Sequence, residues 1–215
     1  MIRARLARHL GRSLERAPAL REALKEADLA FVRAKHALAE RFPALIRPDP
    51  RQLTVAITAA CNLRCLGCRY GRDFMLGERL SLELVRDLLD DARAAGVGRV
   101  RFFGGEPLLH PDLAAMVRHA TALGMEAYVT TNGTLLAERI DELVAAGLRW
   151  MSIGFYGVGE AYAAYTQREG QYEKLVASLE AVRARHGKRV GIQLNYVLLR
   201  PTTNLTALRE AWAFA

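Results

Sequence analysis

The 215-residue chain suits one domain plus an appendage, and with 51% of its residues hydrophobic it can bury a substantial core. Its formal charge of +8 suggests an anionic partner only weakly, because arginine far outnumbers lysine and no basic block is interleaved with aromatic residues, so no specific nucleic-acid contact is indicated. No apolar run reaches the roughly eighteen residues of a membrane span, and the basic start (residues 1–18) lacks the apolar core and cleavage site of a secretory signal, so a cytoplasmic protein is expected.

Residues 1–50 mix Arg and Glu with Leu and Ala at helical spacing, broken near Pro18 and Pro43. This predicts two or so amphipathic helices that dock on the remainder, lie on a membrane surface or bind a partner, docking being the favoured choice. From residue 51 onward, short β-rich runs alternate with helical patterns. Leu53–Thr58 reads as a first strand, and Ser81 can cap a helix whose Leu82, Val85, Leu88, Leu89 and Ala92 share one face. Val100–Phe103 is a second strand, stopped by Gly104 and Gly105. His110, Pro111 and Asp112 open the next helix. Glu126–Thr130 is a third strand, followed by a helix carrying Ile140, Leu143 and Val144. Arg149–Phe155 gives a fourth strand, Leu175 to Val182 line a helix, Val190–Leu199 is a fifth strand, and Leu205–Ala215 begins a last helix.

Strands separated by single helices imply parallel pairing through right-handed crossovers. Five such units in residues 51–215 fit an α/β fold, a partial (β/α) barrel of TIM type, with a doubly wound sheet as the structural alternative. Either architecture gathers ligands at the C-terminal ends of the strands, where every unusual loop of this chain falls. The chain stops inside an apolar helix, ALREAWAFA, and a barrel wants at least one more strand. The sequence is therefore read as truncated at its C-terminus.

All three cysteines, Cys61, Cys65 and Cys68, fall within eight residues just past the first strand. An odd, tight cluster makes a poor disulfide framework. Three thiolates on one loop can ligate a soft metal or an iron–sulfur cluster. A structural zinc site normally has four protein ligands, and no fourth cysteine exists. Either a histidine completes the set or one position is left for a ligand. None of His9, His36, His110, His119 and His186 has ligand spacing relative to the cysteines, so structural or solvated roles are expected for them.

The C-x3-C-x2-C spacing in ITAACNLRCLGC, followed by RFFGGEP (residues 101–107), resembles the radical S-adenosylmethionine (radical SAM) superfamily. The resemblance covers roughly residues 51–215. It implies that Cys61, Cys65 and Cys68 each bind one iron of a [4Fe–4S] cluster whose fourth iron is chelated by S-adenosylmethionine. It also implies reductive cleavage to methionine and a 5′-deoxyadenosyl radical, which takes hydrogen from a substrate. Gly104, Gly105 and Glu106 match the element that binds the methionine amino group. Two glycines permit a sharp turn and close approach to a ligand, and a carboxylate suits an ammonium.

Later elements match less tightly. YVTTNG (residues 128–133) resembles the third-strand ending that lines the same pocket, although Asn132 and Gly133 equally make a plain turn. In WMSIGFYG, Ser152 and Gly157 match a serine- and aspartate-bearing run, whereas Gly154 and Tyr156 replace its second serine and aspartate. Arg168 matches an arginine that reaches the cofactor carboxylate. Gln193 and Asn195 fall on one face of the fifth strand, where family members carry polar residues contacting cofactor or substrate. The implied partners are a reductant such as flavodoxin or ferredoxin and a substrate that is a peptide, a cofactor precursor or a lipid. The basic N-terminus weakly favours a membrane-surface substrate. A non-catalytic iron–sulfur or zinc-binding module using the same three cysteines is the alternative.

Overall fold

In the computed structural model the described residues are 18–43, 51–70, 73, 77–198 and 204–215. The chain separates into two units, Met1–Pro48 and Asp49–Ala215. Of the first unit, a single helix is described, α1 (Pro18–Arg41). Its exposed side chains include Leu20, Leu29, Phe31 and Leu38. The expected helix ahead of Pro18 and the end of the fifth expected strand, at Leu199, lie outside the described residues.

The second unit is built from repeated strand–helix units. In chain order these are β1 (Gln52–Thr58), α2 (Leu82–Ala94), β2 (Arg99–Gly104), α3 (Leu113–Ala122), β3 (Glu126–Thr131) and α4 (Leu136–Ala145). Then follow β4 (Trp150–Phe155), α5 (Glu160–Thr166), α6 (Gln171–His186), β5 (Gly191–Tyr196) and α7 (Leu205–Phe214). All four strand pairings are parallel and the spatial order is β1-β2-β3-β4-β5. A doubly wound sheet reverses its strand order at a switch point, whereas this one never reverses. Sequential parallel order is that of an arc of a (β/α) barrel.

Local chemistry places the ends of these elements. Ser81 caps α2 by accepting a hydrogen bond from Leu84 N–H at 3.2 Å. Asp112 stands at the start of α3 but makes no side-chain cap. His110 sets that corner instead. Its Nε2 lies 2.9 Å from Leu80 O, and its Nδ1 accepts from Asp112 N–H at 3.1 Å. The imidazole thus ties the α2 and α3 entries together, the structural role expected of it.

The sheet's two faces differ in chemistry. Val55, Val100, Phe102, Ala127, Val129, Met151 and Ile153 are buried, and they join a core with Val85, Leu89, Met116, Ile140, Leu143, Leu175 and Val182 from the helices. Burying a side chain of this kind contributes about 2 kcal/mol, so this helix-covered face drives folding. The opposite face is polar. In register, Thr54, Arg101, Tyr128, Trp150 and Gly191 form one row; in the next, Ala56 pairs with Phe103, and Thr130, Ser152 and Gln193 align.

Candidate functional site

The loop after β1 carries the three cysteines, all half-buried and none in a disulfide. Its main chain is fixed from two sides. The β2 end reaches across to it: Gly105 N–H donates to Thr58 O at 2.7 Å, and Glu106 N–H to Ala60 O at 2.8 Å. On the other side, Arg64 N–H donates to Thr166 O at 3.0 Å and Leu66 N–H to Tyr165 O at 2.9 Å. Cys65 is therefore held between two backbone bonds to the end of α5. Leu63 plugs the loop into the fold, fully enclosed, and its N–H points at Cys61 Sγ at 3.4 Å.

Asn62 links this loop to the turn after β3. Its amide donates to Thr134 Oγ1 at 2.9 Å and its carbonyl oxygen accepts from Asn132 Nδ2 at 2.8 Å. Asn132 Oδ1 in turn accepts from the N–H and hydroxyl of Thr134. Asn132 and Gly133 are thus part of a side-chain lattice joining two loops, more than a plain turn.

The GGEP turn is tighter than a ligand cradle requires. A Cβ on Gly104 would overlap Thr58 O, and one on Gly105 would overlap Ala60 O, so both glycines are demanded by close passage of the main chain of β1. Glu106 is completely enclosed. Its Oε1 accepts from Leu108 N–H at 2.9 Å and from the Thr131 hydroxyl at 2.6 Å, while Oε2 accepts from Asn132 N–H at 2.7 Å. Burial pushes its pKa above the ordinary carboxylate value, against the three hydrogen bonds, which lower it. The carboxylate thus ties together the turns after β2 and β3. Arg139 of α4 steadies the same turn, donating to Leu108 O at 2.6 Å and His110 O at 3.2 Å.

Ser152 is buried on the inner face of β4 and accepts from Asn195 Nδ2 at 2.5 Å; Gln193 Nε2 donates to Asn195 Oδ1 at 2.7 Å. These polar residues form one chain across β4 and β5. Arg168 is exposed in the turn just past α5. Gly154 and Tyr156, the two departures in the β4 run, are a coupled change. A Cβ on Gly154 would fall 2.6 Å from Tyr156 Oη, so the small residue makes room for the tyrosine hydroxyl.

That tyrosine belongs to an aromatic wall beside the cysteines. Tyr156 stacks on Tyr165 with ring centroids 4.2 Å apart, and Tyr162 tilts against Tyr156 at 5.9 Å. Tyr162 is fully enclosed, and its hydroxyl has no hydrogen-bond partner. Burial, and then the nearby Cys65 thiolate charge, raise the Tyr156 pKa; the Tyr162 pKa is raised by burial and then by Tyr156 and Cys65. Burial also pushes the Cys61 thiol up to about 11. A metal that binds there must displace a proton.

The donor set fits an iron–sulfur cluster. Three thiols share one anchored loop, and the chain contains no fourth cysteine. Among the described residues, no three His, Cys, Asp or Glu side chains converge closely enough for a single metal ion. Cysteines that hold a four-iron cluster each take a different iron, so their sulfurs need not converge on one point.

Sequential parallel strands, a cysteine loop on the strand-end rim and a GGE turn bonded to it define the class of protein. The chain belongs to the radical SAM superfamily, whose family model matches residues 55–206. A GTP 3′,8-cyclase of Mycobacterium tuberculosis is 32% identical over 164 residues, covering 66% of this chain and 45% of the relative. An AdoMet-dependent heme synthase of Methanosarcina barkeri is 32% identical over 138 residues, covering 62% and 39%. The chain thus spans less than half the length of these relatives. Among solved structures, Streptococcus suis SuiB bound to its precursor peptide SuiA superposes with a TM-score of 0.60 at 18% identity, covering 86% of this chain and 40% of that one. This last likeness supports the fold, a partial barrel.

Proposed function

We propose that this chain is the catalytic core of a radical SAM enzyme that modifies a cofactor precursor. Cys61, Cys65 and Cys68 are the residues that would hold a [4Fe–4S] cluster. When bound, such a cluster together with S-adenosylmethionine would supply the one-electron reductive cleavage and hydrogen-abstraction chemistry of the superfamily. The observation that carries the reading is the bonded unit of cysteine loop, GGE turn and TNG turn.

The chain's own residues position and shield. The α5 end and the Thr58–Ala60 segment fix the cysteine loop from both sides. Gly104 and Gly105 bring the main chain beside it at the point where the cofactor's methionine amino group binds. Glu106 acts on that group through the turn it holds, since its carboxylate is engaged by Leu108, Thr131 and Asn132. Ser152 and Asn195 present hydroxyl and amide groups to the cofactor's ribose. Arg168, exposed beside the α5 end, takes its carboxylate. The tyrosine wall excludes water on the far side of the loop.

A flavodoxin- or ferredoxin-type reductant supplies the electron. Of the named relatives, the heme synthase supports a cofactor precursor. The expected membrane-surface contact finds no support: no described helix is long and apolar enough to cross a membrane, and α1 by itself does not single out a lipid. A mononuclear zinc module is disfavoured by the lack of a converging donor trio among the described residues.

The test is anaerobic reconstitution with iron and sulfide, followed by S-adenosylmethionine titration of the reconstituted protein. A cluster signal perturbed by S-adenosylmethionine is expected. A cluster that does not respond to the cofactor points instead to the non-catalytic module.

A further inference from the structure

The polar inner face of the sheet carries a charged group to which the cofactor reading gives no task. Arg101, Tyr128, Thr130, Trp150, Ser152 and Gln193 help to line a cleft of about 450 Å3 there. The charged residues lining it are Arg99, Arg101 and Glu126. Arg99 is spoken for, donating to Glu126 Oε2 through both Nε, at 2.9 Å, and Nη2, at 2.7 Å. Arg101 is not. Its Nε donates to Thr130 Oγ1 at 2.8 Å and its guanidinium lies 5.5 Å from the Phe103 ring centroid. Among the described residues no carboxylate pairs with it, and its two terminal nitrogens have no protein acceptor.

A half-buried guanidinium whose fork is fixed at one end and open at the other is built to bind an oxyanion. Its row also contains a ring platform. Tyr128 lies opposite Arg101 in the β2–β3 register, and Trp150 opposite Tyr128 in the next pair. The Trp150 indole covers Gly191, where a Cβ would overlap the ring, yet it remains 39% exposed. The next row toward the strand ends, about 7 Å away, holds Ser152. A ligand seated at Arg101 therefore sits below the cofactor residues, within the same cleft.

We propose that this cleft recognises the substrate, which carries an oxyanion, carboxylate or phosphate, on a planar ring. Arg101 binds the oxyanion through its terminal nitrogens and Trp150 packs against the ring. The inference rests on the radical SAM reading and names the substrate class of that site.

The test is calorimetric titration of anaerobically reconstituted, S-adenosylmethionine-loaded protein with three probes: benzoate, phenyl phosphate and neutral benzyl alcohol. One of the two anions is expected to bind at least tenfold more tightly than the alcohol, and which one binds identifies the oxyanion. Arg101→Gln is expected to weaken that binding tenfold or more. Arg86→Gln, which removes the same charge from an exposed position of α2 outside the cleft, is expected to change it less than twofold. Equal losses in the two variants would reveal a general charge effect and overturn the proposal, as would equal binding of all three probes or binding of none. Should Arg101→Gln fail to fold, Arg101→Lys decides: it keeps the charge and loses the fork, and unchanged affinity overturns the proposal. Failure of the radical reading shows separately, as absence of 5′-deoxyadenosine from the parent protein, and leaves the anion titration interpretable.

Discussion

Glu106 is the residue whose environment most changes its expected behaviour. Its sequence context marks a carboxylate facing an ammonium, but the carboxylate is enclosed and accepts three hydrogen bonds from the chain itself. Glu106→Ala leaves two buried N–H groups and a hydroxyl without their acceptor, which costs about 3 kcal/mol. A drop of that size in denaturant-unfolding free energy is expected alongside weaker S-adenosylmethionine binding. Weaker binding with unchanged stability would return Glu106 to direct contact. The cysteines behave more simply. Cys65→Ala removes one iron ligand, and loss of the cluster signal after reconstitution is expected; full cluster content would contradict the ligand set. The Gly154 and Tyr156 pair offers a double-mutant test. Gly154→Ala should destabilise by about 1–3 kcal/mol through overlap with the Tyr156 hydroxyl, and Tyr156→Phe in the same chain should recover part of that loss. The sequence reveals both departures but not their coupling, because contact between a strand residue and the ring two positions later depends on how the strand ends. Asn62 escaped notice for a similar reason. Its bonds to Asn132 and Thr134 span about seventy positions, and no local pattern marks them.

Among the elements, those with strong periodicity and clear punctuation were legible. The α2 face of Val85, Leu89 and Ala92, the Ser81 cap and the five strands stand as expected, with strand ends shifted by at most three residues. Ser81→Ala is expected to lower stability by about 1 kcal/mol, measured by chemical denaturation, with little effect on cluster assembly because, among the described residues, no hydrogen bond joins α2 to the three cysteines. The helix the sequence did not mark is α5. It has only 7 residues, is rich in Ala and Tyr, and ends at Gln167 in a left-handed conformation. It is also the element that holds Cys65, through the carbonyls of Tyr165 and Thr166. Shortening α5 by deleting Ala163 and Ala164 should therefore depress cluster content more than overall helix content, compared by iron analysis and circular dichroism. Equal loss of both would mean that α5 matters only to folding.

At the level of the whole molecule, alternation of strand and helix gives the α/β class, and the sequential strand order decides for a barrel arc over a doubly wound sheet. Strand order is set by packing between units distant in sequence, so it was the part least open to reading from residues alone. The polar inner face is legible from alternation once the helix-covered face is known, as Arg99, Arg101, Tyr128 and Thr130 show. Three cysteines on the rim of this arc are proposed to hold the cluster that generates a radical from S-adenosylmethionine. The direct measurement is 5′-deoxyadenosine formed by the anaerobically reconstituted protein with dithionite and S-adenosylmethionine. Formation that depends on dithionite and disappears in Cys65→Ala is the predicted result. A folded, cluster-loaded protein that yields no 5′-deoxyadenosine would contradict it.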